Sequence, residues 1–207
     1  MIGPLVIAGI SVNEEDLPKL AKLGVKDSKL LTPHRREVLA VEIRRMVEKY
    51  AIEKLEPREI DQIVFSGKKL HKLNWLEAQT MAKVIEKLKP DKVYVDASDV
   101  VEERFKQDIL NCLAFKVLIV SEHKADRTYP VVSAASIIAK VERDRETAKL
   151  ASVYGDFGSG YPSDPRTIAF LKSYAERMME YPDFVRKSWK TVRKTNSGSD
   201  VRQAKLM

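Results

Sequence analysis

The sequence predicts an α/β fold, on three observations. An apolar, β-branched run covers residues 2–12, two shorter runs of the same kind lie at 92–97 and 115–121, and apolar residues repeat at helical spacing between and after them. A length of 207 residues suits one such domain with a substantial core and a small appendage. Apolar residues make up 44% and charged residues 32%. No apolar run reaches the roughly 18 residues of a membrane span, so no membrane partner is expected. No targeting segment is legible at the N-terminus, and Cys112 is the only cysteine. A reducing cytoplasm is the expected compartment.

The first run, IGPLVIAGISV, reads as a buried strand. A helix is expected after Thr32, which is placed as N-cap ahead of Pro33, with Leu39, Ile43, Met46, Val47 and Tyr50 on one face. Residues 51–56 form a short strand and 57–65 a short helix. Asn74 and Glu77 resemble a capping box for a helix that Pro90 stops. A strand over 92–97, a helix over about 99–113 and a strand over 115–121 then make a β-α-β unit. Such a unit is parallel, so both carboxyl ends emerge on one sheet edge, where open α/β sheets bind ligands. Small and apolar residues from 131 to 154 predict a helix packed closely on the sheet. A Gly-rich loop over 155–167 and a helix over about 165–179 follow.

The net charge is +7, and the excess sits at one end. From residue 186 onward the basic residues are Arg186, Lys187, Lys190, Arg193, Lys194, Arg202 and Lys205, against Asp200 alone. After Thr195 the composition reads as a solvated tail. Before it, Trp189 among basic residues reads as a docked segment that meets phosphates.

Asp96 ends a strand of Val93, Tyr94 and Val95, where a carboxylate is paired, exposed or metal-bound. It is either a cap for the next helix or a ligand. Asp126 lies a few residues beyond the next parallel strand, so both acids can reach one site. In a basic protein such a pair suggests Mg²⁺ or Mn²⁺ acting on a phosphodiester, because hard cations take oxygen ligands and leave room for phosphate and water. His123 has no second histidine near it and reads as supporting structure. Lys26 and Lys29 suit backbone phosphates or a plain solvated turn. Tyr161, in a loop whose glycines allow close approach, either stabilises the turn or stacks on a sugar and tests for a 2′-OH.

The segments GVKDSKLLT (24–32), VDASDV (95–100), EHKADRTYPVVSAASIIAKVERDR (122–145), YGDFGSGYPSDPRT (154–167) and WKT (189–191) resemble, in order and spacing, ribonuclease HII, the type 2 ribonuclease H, above all its archaeal form. The resemblance runs from about residue 2 to 194. It implies a ribonuclease H-like mixed sheet flanked by helices, with a catalytic domain over 1–160, a helical appendage over 161–195 and a flexible tail over 196–207. It also implies endonucleolytic cleavage of RNA paired to DNA, including single ribonucleotides within duplex DNA. In that family four carboxylates hold Mg²⁺ or Mn²⁺, and activated water leaves 3′-hydroxyl and 5′-phosphate ends. Asp96 matches the third acid, Asp126 the fourth, and Tyr161 the tyrosine that senses the ribonucleotide. Lys26, Lys29, Lys140 and Arg143 fall in segments that line the substrate groove.

The family opens with a motif resembling DEAGRGPVIGPLV, and this sequence aligns inside it from Met1. The first two acids, the Gly-Arg-Gly element and a central strand are therefore expected to be missing from these 207 residues. Impaired activity and stability are expected with them, and a start set too far downstream is favoured over a genuine truncation. Some archaeal relatives end in a sliding-clamp motif. Gln203 and Leu206 have its first spacing, without the aromatic pair. A monomer is expected. The competing function is a non-catalytic binder of RNA/DNA hybrid.

Overall fold

The computed structural model describes residues 1–25, 31–66, 72–177 and 180–193. Lys26 and Lys29, the connection at 67–71 and the tail with Gln203 and Leu206 lie outside them. By contacts the chain divides into two units. The first comprises Met1–Leu5, Leu55–Lys68 and Arg143–Met207, the second Val6–Lys54 and Lys69–Glu142.

In order, the elements are β1 (Leu5–Ser11), a 3-10 turn at Glu14–Asp16, α1 (Leu17–Lys22), α2 (Pro33–Met46), β2 (Lys49–Leu55), α3 (Pro57–Phe65), α4 (Lys72–Leu88), β3 (Lys92–Asp96), α5 (Glu102–Leu110), β4 (Leu118–Glu122), α6 (Ala125–Thr128), α7 (Pro130–Tyr154) and α8 (Pro165–Glu176). The helix after Thr32 starts as expected. Thr32 Oγ1 accepts from Arg35 N at 3.2 Å, and Pro33 fills a first-turn position whose N–H needs no partner. It ends sooner than the apolar spacing suggested. Val47 leaves the helix in extended conformation, and Tyr50 stands exposed in β2.

β3 and β4 pair in parallel, Lys92 with Leu118 through Asp96 with Glu122, as the β-α-β unit predicts. β4 begins at Leu118 and not at 115, because β3 offers no partner before Lys92. Their core is built with α4 and α5 from Ala78, Ala82, Ile85, Val93, Val95, Phe105, Ile109 and Ile119. A second cluster joins Ile10 of β1, Leu20 of α1, Leu39 and Ile43 of α2, and Ala134, Ile137, Ile138 and Val141 of α7. Gly9 is where β1 meets α4. A Cβ there would come within 2.5 Å of Val84 Cγ1 and 2.9 Å of Leu88 Cδ1, so only glycine permits this approach.

Among the described residues the strands form two separate pairs, β1 with β2 and β3 with β4. Between them runs a slot of about 240 Å³, lined by residues 6–10 of β1, residues 92–96 of β3, and apolar side chains of α4 and α7. A pocket on a sheet face would meet alternate residues. Five consecutive residues from each strand mean that the slot meets their backbone edges. One more strand in that gap would join the pairs into a single sheet. β1 reads from its sequence as a strand buried on both faces, yet most of its residues are only half-buried, as an open edge requires.

The expected cap at Asn74 is not formed. The helix already runs at Lys72, and Asn74 Nδ2 donates to Asp99 Oδ2 at 3.1 Å. Asp99 is buried, accepts Val101 N at 2.9 Å, and pairs with Arg104, whose Nε donates to Oδ2 at 2.9 Å. These bonds turn the chain at 99–101 and delay α5 to Glu102. Arg104, then the Val101 N–H and Asn74, hold the Asp99 carboxyl well below the usual carboxylate range. An acid whose folded pKa is depressed stabilises above its unfolded pKa and stops doing so as pH falls through the folded one. Asp99→Asn is therefore expected to lower stability at pH 7. In urea titrations its difference from wild type should narrow steadily below about pH 4, the ordinary aspartate value.

Candidate active site

The parallel pairing of β3 with β4 positions the two acids. Asp96 is the last residue of β3 and sits opposite Glu122, the last of β4. Beyond β4 the chain reverses through Lys124, a non-glycine residue in the left-handed region at φ 58°. That conformation costs a side-chain-bearing residue roughly 1 kcal/mol. It starts α6 at once beneath the strand ends, where Asp96 Oδ1 accepts from Ala125 N at 3.3 Å. Asp126 is the next residue and is buried at 8% exposure, whereas Asp96 is half-buried. The structure thus brings the Asp96 carboxylate against the backbone that carries Asp126. Asp96 also lines the carboxyl end of the slot.

Neighbouring side chains hold this corner. Glu122 Oε1 accepts from Tyr129 Oη at 3.0 Å, and this bond, ahead of burial, raises the Tyr129 hydroxyl's pKa. The Tyr129 ring lies 4.4 Å from that of Tyr94, between centroids. Neither Glu122 nor Tyr129 was singled out from the sequence, although the β3–β4 register alone puts Glu122 beside Asp96. His123 is exposed, with its ring Nε2 3.3 Å from Val100 O and its backbone N–H donating to Glu102 Oε1 at 2.6 Å.

Asp96 and Asp126 offer oxygen donors alone, the donor type of Mg²⁺ and Mn²⁺. Mg²⁺ is commonly held by one or two carboxylates plus waters and substrate phosphates, so the pair fits one such ion in kind and number. No group of three or more His, Cys, Asp or Glu that could hold a metal occurs among the described residues. Lys140 is half-buried on α7.

In the first unit, Tyr161 lies within the loop between α7 and α8 with its side chain exposed. The loop's base is tied by Thr167, whose Oγ1 accepts Gly160 N at 3.0 Å and donates to Phe157 O at 2.8 Å, and by Asp164, whose Oδ2 accepts Ser159 N at 2.7 Å. The Arg143 guanidinium lies 3.8 Å from the Tyr161 ring centroid.

The basic segment past residue 186 is docked, through an acid the sequence reading passed over. Asp61, buried on α3, accepts Lys187 N at 2.7 Å and Ser188 N at 2.9 Å. Arg186 is buried, donates to Gly3 O at 3.2 Å and lies over the Trp189 ring. Lys187 Nζ pairs with Glu180 at 2.9 Å, and Lys190 and Arg193 are exposed. An acid inside an amphipathic helix was the available signal for Asp61.

No helix among the described residues is long and apolar enough to cross a membrane. The family model for Ribonuclease HII matches residues 1–192. Ribonuclease HII of Thermococcus kodakarensis is 50% identical over 196 residues, which are 94% of this chain and 83% of that protein. The crystal structure of the ribonuclease H2 from Pyrococcus horikoshii superposes with a TM-score of 0.86 at 43% identity, covering 96% of this chain and 92% of that one. The ribonuclease HII in a PCNA complex from Archaeoglobus fulgidus gives 0.81 at 44% identity, covering 94% and 90%.

Removing the Asp61 carboxylate leaves two backbone N–H groups unpaired. Asp61→Ala should cost about 2–3 kcal/mol in denaturant unfolding, and Asp61→Asn, which keeps one acceptor, about half of that.

Proposed function

The chain belongs to the ribonuclease HII family, and on that premise we propose that it hydrolyses the RNA strand of RNA/DNA hybrids and cuts at single ribonucleotides in duplex DNA, leaving 3′-hydroxyl and 5′-phosphate ends. The observation that supports this most directly is the meeting of Asp96 with the backbone that carries Asp126, at the carboxyl end of a parallel strand pair. Asp96 and Asp126 would hold Mg²⁺ or Mn²⁺, which when bound supplies a Lewis acid for the phosphodiester and activates water. The two acids would fix that ion at the carboxyl end of the strand pair, where the phosphate would meet it, and the buried setting of Asp126 limits competing solvent. Tyr161 presents its ring to the sugar and its hydroxyl to the 2′-OH. Lys26, Lys29 and Lys140 neutralise backbone phosphates, as does the exposed basic part of the docked segment.

Two acids are half of the family's four, so these 207 residues alone would be impaired. The slot beside Asp96 supports that reading, because a strand in it would complete the sheet and end next to Asp96. That no group of three or more His, Cys, Asp or Glu able to hold a metal occurs among the described residues also favours a second reading, a non-catalytic hybrid binder. We place the protein in the cytoplasm as a monomer. Gln203 and Leu206, with the neighbour solved in a PCNA complex, support a sliding-clamp partner.

Cleavage of a DNA duplex carrying one ribonucleotide, with Mn²⁺ or Mg²⁺, separates these readings. The chain extended in frame upstream should cut and Asp96→Asn should abolish cutting, while the 207 residues alone bind with little or no cleavage. Equal cleavage by the unextended chain would overturn the account of the missing acids, and binding without cleavage by both would favour the binder. Deleting residues 200–207 should weaken sliding-clamp affinity at least tenfold in a titration. An unchanged affinity would remove the clamp from the proposal.

A further inference from the structure

Tyr161 has 45% of its surface exposed, yet one face of its ring is covered. The covering group is the guanidinium of Arg143, 3.8 Å from the ring centroid, and Arg143 is itself buried at 8% exposure. Its donors point into the fold. Nη2 donates to Ser159 O at 2.8 Å and, at 3.5 Å, to Ile2 O, and Nη1 lies 3.6 Å from Asp144 Oδ1. The same planar cation therefore holds the backbone two residues before Tyr161 and the ring of Tyr161. Between them Gly160 takes φ +74°, and a Cβ there would come within 3.0 Å of both Arg143 Nη2 and Ile2 O. The loop is pressed directly onto the guanidinium.

A tyrosine at a loop tip ordinarily has two free side-chain torsions. Stacked on a buried cation it keeps one orientation, with a single open face and its hydroxyl edge for a ligand. Ordering a contact group before binding removes a cost from binding, and it sharpens discrimination between ligands that differ by one hydroxyl. A buried guanidinium whose donors are engaged by carbonyls is poorly placed to take a phosphate.

We propose that Arg143 is a positioning residue that fixes the Tyr161 ring, and so sets preference for a ribose over a deoxyribose instead of adding affinity for phosphate. The proposal rests on the reading of Tyr161 as the sugar contact.

The test is fluorescence anisotropy of the full 207-residue chain without divalent cation, on a DNA duplex with one ribonucleotide and on the same duplex in all-DNA form. Wild type should prefer the first. Tyr161→Ala and Arg143→Gln should each cut that preference by a similar factor, about three- to tenfold. The double variant should lose no more than either single one, and Arg143→Lys should restore part of the preference. Arg143→Gln weakening both duplexes alike, or keeping the preference that Tyr161→Ala loses, would overturn the proposal.

A wild type without preference, or a Tyr161→Ala variant that retains it, would sink the sugar reading itself. Ring-carbon NMR relaxation of Tyr161 then decides the positioning claim separately. An ordered ring in wild type that becomes mobile in Arg143→Gln supports it, and equal order in both refutes it. If circular dichroism shows that Arg143→Gln does not fold, Arg143→Lys carries both measurements, with a partial loss of preference and of ring order expected and no change in either refuting the proposal.

Discussion

The carboxylate pair depends on the parallel pairing of β3 with β4. Parallel strands end at the same edge, so the residue that closes β3 and the turn that leaves β4 are forced together. The chain must then reverse within two residues to begin α6 under Asp96, and Lys124 accepts a left-handed conformation to do so. Local strain of this order persists only where surrounding structure over-determines it. Here the Asp96–Ala125 hydrogen bond, the Glu122–Tyr129 bond and the Tyr94–Tyr129 ring contact supply that constraint.

In the other unit the organising principle is capture of backbone by buried or half-buried charged and polar side chains. Asp61 takes two N–H groups from the basic segment, Thr167 and Asp164 tie the base of the Tyr161 loop, and Arg143 and Arg186 take carbonyls. These ionic groups are satisfied by the main chain, which removes the penalty of leaving a buried charge unpaired. One consequence bears on nucleic-acid binding. Arg186 and Lys187 look from composition like phosphate ligands, but the first is buried and the second half-buried, whereas the side chains of Lys190 and Arg193 are exposed.

Much of this was legible in the sequence wherever one local rule governs. Thr32-Pro33 specified a helix start, the alternation of strand and helix at 92–121 specified a parallel pair, and Asp96 stood out because a carboxylate closes an apolar strand. Tyr50 was misassigned to a helix because apolar periodicity continues past Met46, while the chain turns extended at Val47 to enter β2. Asn74 and Glu77 satisfy a capping pattern, but tertiary structure claims Asn74 for Asp99. Asp61 was passed over because its partners, Lys187 and Ser188, lie at least 126 residues away, and no periodicity encodes such a pairing.

The slot between β1 and β3 ties stability to chemistry. Backbone groups along two open edges must be hydrated, and apolar side chains of α4 and α7 face the same space, so the gap is costly in both hydrogen bonding and burial. A strand is the one element that satisfies both demands at once, because it offers backbone to each edge and side chains to each helix layer. Asp96 borders the slot at the end where such a strand would finish or begin. An element that filled the slot would therefore also set how deeply Asp96 is desolvated, and with it the strength of every electrostatic interaction the carboxylate makes. Sheet integrity and the electrostatic setting of Asp96 are thus constrained by the same few residues.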